Sequence, residues 1–116
     1  MDEAALDRAR ASLERERDSL RAELREHGAD PDDPNAFRVE LDSGFADRAE
    51  TTTERARLLS VVATLRDDLK EVDEALARVR EGRYGICESC GDPIAPERLE
   101  AMASARLCID CKQRAR

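Results

Sequence analysis

The stretch LLSVVATLRDDLKEVDEALARV, Leu58 to Val79, decides the fold. Its Leu58, Val62, Leu65, Leu69, Val72, Leu76 and Val79 alternate steps of four and three, the heptad seam of a coiled-coil helix. Neither Pro nor Gly interrupts the chain from Asp47 to Arg80. The spacing therefore predicts one helix over that span, roughly 50 Å long at 1.5 Å per residue. A stripe of that length has to be covered. Upstream, Leu6, Ala9, Leu13, Leu20 and Leu24 recur at three-, four- and seven-residue steps in a charged stretch that ends at Gly28, which predicts a partner helix over 3–27. Run antiparallel, the two seams match in length with Leu6 beside Val79 and Leu24 beside Leu58. The fold class is then all-α, an antiparallel two-helix coiled-coil hairpin over residues 1–81. A monomer is expected, with a parallel homodimer through the second helix as the alternative.

Between the helices, residues 28–46 hold Gly28, Pro31, Pro34 and Gly44, a connection too long for a simple helix–helix turn. Phe37, Val39 and Leu41 alternate with Arg38 and Glu40, predicting a short extended segment within a tip of about 28–57. This tip is acidic: residues 28–50 carry seven acids against two bases. Asp30, Asp32 and Asp33 lack the ligand spacing and central Gly of a calcium loop and read as a solvated turn. His27 reads as a helix C-terminal residue rather than a metal ligand.

The rest of the chemistry lies in Cys87-Glu-Ser-Cys90 and Cys108-Ile-Asp-Cys111. Two C-x-x-C turns at this separation match a structural zinc site, in which four thiolates close a tetrahedron and leave no position for water or substrate. Cys87, Cys90, Cys108 and Cys111 are thus expected to hold one structural Zn²⁺ in a module over residues 82–116. Two disulfides compete with this reading. With no signal-peptide pattern in the sequence, a reducing cytoplasmic setting is the expectation. Pro93 and Pro96 are expected to keep their segment out of helix, with a short helix over Arg98–Ala105 and another after Cys111. Arg98, Arg106, Lys112, Arg114 and Arg116 form either a basic rim or solubilising charge.

Composition narrows the function. With 41% charged and 3% aromatic residues, the chain cannot build a conventional core and has to be elongated or metal-stapled. No run of eighteen apolar residues would span a membrane. The net charge is −7, and residues 81–116 carry six bases against six acids, whereas a zinc finger that reads DNA needs a basic excess. Direct sequence-specific DNA binding is therefore not expected. Nor is catalysis, since the zinc is closed and no nucleophile–base pair presents itself.

The segments GRYGICESCG (Gly82 to Gly91), RLEA (Arg98 to Ala101) and ARLCIDCK (Ala105 to Lys112), with ADRA at Ala46 to Ala49, resemble the DksA/TraR family of bacterial zinc-containing transcription regulators. The resemblance covers roughly residues 42–112. It implies a protein that binds RNA polymerase directly and inserts its coiled-coil tip through the secondary channel to modulate initiation. An acidic tip suits an approach to a catalytic divalent cation and is repelled by DNA phosphates. The family's tip motif, D-x-x-D-x-A, falls on Asp47 and Ala49, with Gly44 where the first acid stands and Asp42 and Phe45 nearby. That departure at Gly44 speaks against a response to ppGpp, the stringent-response alarmone. The rival readings are a sequence-specific or architectural DNA-binding zinc protein and a stress-linked homodimeric interaction protein.

Overall fold

The computed structural model describes residues 1–35 and 48–115, without the side chains of 48–51. Four helices follow in order: α1 (Glu3–Glu26), α2 (Arg48–Glu81), α3 (Pro96–Ala101) and α4 (Ile109–Arg114). The two long helices fall within a residue of the spans that the apolar spacing predicts. Among the described residues there is no strand, and Ile86 and Pro93 form an isolated antiparallel bridge. The fold is all-α, a two-helix hairpin that carries a four-cysteine module.

Each end of the long helices has a local chemical reason. Asp2 caps α1, its carboxylate accepting from the Ala5 amide at 2.7 Å, which satisfies one of the helix's orphan donors. Both C-termini close as Schellman turns on a glycine in the left-handed region, Gly28 at φ 83° and Gly82 at φ 75°. Ala29 N bonds Leu24 O and Gly28 N bonds Arg25 O; Arg83 N bonds Arg78 O and Gly82 N bonds Val79 O. A side chain at either glycine would be strained there, because L-residues avoid that conformation.

The chain clusters into two compact units. In one, residues 18–70, the later half of α1 packs on the earlier part of α2, and Leu20, Leu24, Ala29, Val62, Leu65 and Leu69 are buried. The Asp-rich turn at its α1 end is built locally. Asp32 N donates to Asp30 Oδ1 at 2.8 Å and Asn35 N to Asp33 Oδ1 at 2.9 Å, two Asx turns. Arg21 pairs with Asp32 at 2.9 Å, and Arg66 of α2 donates to Asp30 O at 3.0 Å.

In the other unit, residues 1–17 and 71–116, the first turns of α1 lie with the last turns of α2 and the cysteine module. Leu13, Val72, Ala75, Val79, Tyr84, Ile94, Leu99 and Ala105 form its core. Opposite polarity of α1 and α2 within each unit makes the pair antiparallel. The register differs from the length-matching expectation. Arg17 Nε meets Asp73 Oδ1 at 2.7 Å, which sets α1 about five residues, or roughly 7.5 Å, further along α2 than the pairing of Leu6 with Val79 implies. Length matching assumed that α1 pairs only with the heptad seam. Its first turns instead reach past the end of α2, where the side chain of Met1 packs at Gly85 and Leu99.

The buried stripe on α2 also shifts near its end. Ala75 is completely enclosed and Arg78 nearly so, while Leu76, assigned to the seam by spacing, is only half-buried. There α2 faces two neighbours, α1 and the cysteine module, so its covered face is wider than a coiled-coil seam. Pro96 corrects a further expectation: α3 starts at this residue instead of being excluded by it. A proline in the first helical turn forfeits no hydrogen bond, since that amide has no partner in any case. Helix α3 then ends at Ala101, short of the expected Ala105.

Candidate metal centre

The first cysteine pair sits on a tight turn tied at both sides. Cys87 N donates to Asp92 O at 2.8 Å, Gly91 N to Cys87 O at 2.9 Å and Ile94 N to Gly85 O at 2.8 Å. The second pair straddles the start of α4. Cys108 is the N-cap of that helix and its sulfur accepts from Cys111 N at 3.5 Å. A single backbone bond, Glu88 N to Arg106 O at 2.9 Å, joins the two cysteine-bearing stretches directly.

These turns bring the four sulfurs to one point. The Sγ atoms of Cys87, Cys90, Cys108 and Cys111 all lie within 4.8 Å of one another, and Cys90 and Cys108 are 3.8 Å apart. A tetrahedral zinc–thiolate site with Zn–S near 2.3 Å has sulfur–sulfur edges of about 3.8 Å. A disulfide requires about 2.05 Å, and all four cysteines are free thiols. The geometry therefore fits four thiolates around one Zn²⁺, and the chain carries one structural zinc. Backbone amides at Cys108 and Cys90 pull the Cys87 thiol down to about 6, whereas burial and the neighbouring sulfurs push the Cys90 and Cys111 thiols up.

Around the sulfurs stands a set of donors that composition alone does not reveal. The segment 102–107, which leads into the second pair, has no helix of its own. Its carbonyls are taken by donors from elsewhere: Tyr84 Oη donates to Ala103 O at 2.7 Å, Arg78 Nη2 to Ser104 O at 3.3 Å and Arg98 Nε to Leu107 O at 2.9 Å. Arg78 also meets Glu88 at 3.4 Å, and Arg106 approaches the same carboxylate at 3.7 Å. Arg98 and Arg106 are therefore engaged within the module instead of forming a free basic rim, and Arg114 donates to Asp110 O at 3.4 Å. A periodic pattern could have flagged Arg78 only weakly, since it stands three residues after the enclosed Ala75 on the same helical face.

The other residues singled out by sequence lie elsewhere. Asp42, Phe45 and Asp47 fall outside the described residues, as does the segment Phe37 to Leu41, and Ala49 lies on the first turn of α2. His27 closes α1, its amide bonding Glu23 O at 3.1 Å. No helix among the described residues is long and apolar enough to cross a membrane.

Residues 82–116 match the family model of the prokaryotic dksA/traR C4-type zinc finger. The chain is 39% identical over 76 residues to the RNA polymerase-binding transcription factor DksA of Caulobacter vibrioides, covering 66% of this chain and 54% of that relative. It is 34% identical over 119 residues to the protein of the same name from Escherichia coli K12, covering 97% of this chain and 72% of that one. The chain thus spans about half the length of the first of these relatives and nearly three quarters of the second. Among solved structures, transcription factor DksA2 from Pseudomonas aeruginosa superposes with a TM-score of 0.79 at 34% identity, over 99% of this chain and 85% of that one.

Proposed function

This chain belongs to the DksA/TraR family of C4-type zinc-finger proteins, and on that premise we propose that it is a non-enzymatic transcription regulator that binds RNA polymerase directly. The observation that carries this reading is the combination of a four-thiolate centre with a long two-helix hairpin, matched over 99% of the chain by a solved DksA2. The zinc holds its module in shape and the hairpin acts. In this reading the acidic tip enters the polymerase secondary channel and modulates initiation, with Asp47 and Ala49 as its working residues and Asp42 and Phe45 beside them. Carboxylates near a divalent cation in a partly desolvated channel gain Coulomb energy. Gly44 in place of the first tip acid speaks against a response to ppGpp. The protein acts as a monomer in the cytoplasm, where polymerase works.

Direct binding is the decisive test. Purified zinc-loaded protein is expected to retain core RNA polymerase in a pull-down at physiological salt and to change the lifetime of promoter complexes in a purified transcription reaction. Failure to bind polymerase overturns the reading. Tight binding to free duplex DNA instead would favour a DNA-binding zinc protein.

A further inference from the structure

We propose that Arg78 is a positioning residue for the zinc, and that it couples metal occupancy to the last turns of α2. Its side chain is 4% exposed, which is rare for an arginine without dedicated partners. Both partners belong to the cysteine module. Nη1 donates to Glu88 Oε1 at 3.4 Å and Nη2 to Ser104 O at 3.3 Å. Glu88 directly follows Cys87, and Ser104 lies in the irregular segment that delivers Cys108. One guanidinium therefore holds both cysteine-bearing stretches at once.

Among the described residues, Arg78 is the member of α2 that makes these side-chain bonds to the module, since Tyr84 and Arg98, which hold neighbouring carbonyls, follow the helix. The segment 102–107 has no helix, and beyond the backbone bonds from Ala105 N to Met102 O and from Glu88 N to Arg106 O its position depends on such side-chain bonds. Groups that orient metal ligands from outside the coordination sphere raise affinity by sparing the ion the cost of ordering them. Conversely, an ion that fixes Glu88 and Ser104 gives the buried guanidinium fixed partners, and so stiffens the helical turn that carries it. By linkage, whatever Arg78 contributes to zinc affinity zinc returns to the end of α2.

The test uses the full-length chain and zinc itself. Arg78→Met removes both bonds without leaving a buried charge, and Glu88→Gln, at a half-exposed position, weakens the ion pairs of Glu88 with Arg78 and Arg106 while leaving the Arg78 bond to Ser104 O. In competition with a chromogenic chelator, Arg78→Met is expected to lower zinc affinity about tenfold or more, and Glu88→Gln a few-fold, on the scale seen for outer-shell ligand supports. Cobalt substituted for zinc should keep its thiolate charge-transfer bands in both variants, showing that the same four ligands remain. In the wild type, removing zinc should speed hydrogen exchange at the amides of Leu76 to Glu81, and in Arg78→Met this metal-dependent difference should shrink. Leu24→Ala, which weakens the core of the unit formed by residues 18–70 and not of the unit that holds the cysteines, should leave zinc affinity unchanged. If Arg78→Met does not fold, Glu88→Gln decides by the same measurements. Zinc affinity within twofold of the wild type in the deciding variant overturns the proposal. So does a metal-dependent exchange difference that persists there undiminished.

Discussion

Arg78 of α2 and Glu88 of the first cysteine turn meet at 3.4 Å, ten residues apart in sequence and on opposite sides of the Schellman turn at Gly82. The arginine is enclosed while the carboxylate keeps 39% of its side-chain surface, so the cation bears most of the desolvation. Such a pair adds little net stability compared with an apolar contact, yet breaking it is costly because it strands a buried charge. Its value here is geometric: it specifies how the metal module meets the helix that carries it.

Zinc should be the staple of residues 82–116. Structural zinc contributes roughly 10–16 kcal/mol coupled to folding, far more than the few buried apolar groups of that segment can supply. Metal analysis should return one zinc per chain. Cys87→Ser and Cys108→Ser should each lose it and melt the segment, while circular dichroism retains much of the signal of α1 and α2. Unaltered metal content in either variant would show that other groups bind the ion.

The hairpin core should respond to truncation according to enclosure rather than hydrophobicity. Leu13 is 0% exposed and Leu59 is 49% exposed. Leu13→Ala is expected to cost about 2–5 kcal/mol in thermal or denaturant unfolding, whereas Leu59→Ala should stay within about 0.5 kcal/mol. Equal costs would contradict the seam.

Alkaline pH should loosen the unit that holds Tyr84. Burial pushes its phenol above the usual value, partly opposed by the Arg78 charge. A folded pKa raised above the unfolded value of about 10 means that the folded state holds the proton more tightly. The associated stability is intact below that pH and is lost as pH rises through the folded pKa. Tyr84 is the chain's one tyrosine and there is no tryptophan, so tyrosinate absorbance reports this site alone. Its midpoint should lie above that of the denatured chain. Tyr84→Phe, which leaves Ala103 O without its donor, should cost about 1 kcal/mol.

Asp47 should separate function from capping. It immediately precedes α2, and Glu50 three residues later completes a capping-box pattern. Asn retains a capping oxygen, so Asp47→Asn should cost only a few tenths of a kcal/mol while removing the charge. Loss of transcriptional effect with folding and polymerase binding retained is the expected outcome. An unchanged transcriptional effect would move the working role to Asp42 or Phe45.

Much of this architecture is legible in the sequence because it rests on local rules. Two helices follow from uninterrupted heptad spacing, their ends from Gly28 and Gly82, and the zinc from two C-x-x-C turns, each a matter of neighbours within a few residues along the chain. Tertiary structure decided what depends on distant partners. The Arg17–Asp73 pair sets the register, because matching seam lengths cannot sense that α1 also covers Gly85 and Leu99. Ala75 is enclosed in preference to Leu76, because α2 meets two surfaces at once near its end. Arg78 reads in sequence as one more solvated charge among many. Only the return of the chain through Glu88 and Ser104 buries it, since burial of a charge depends on whether the fold supplies both of its partners.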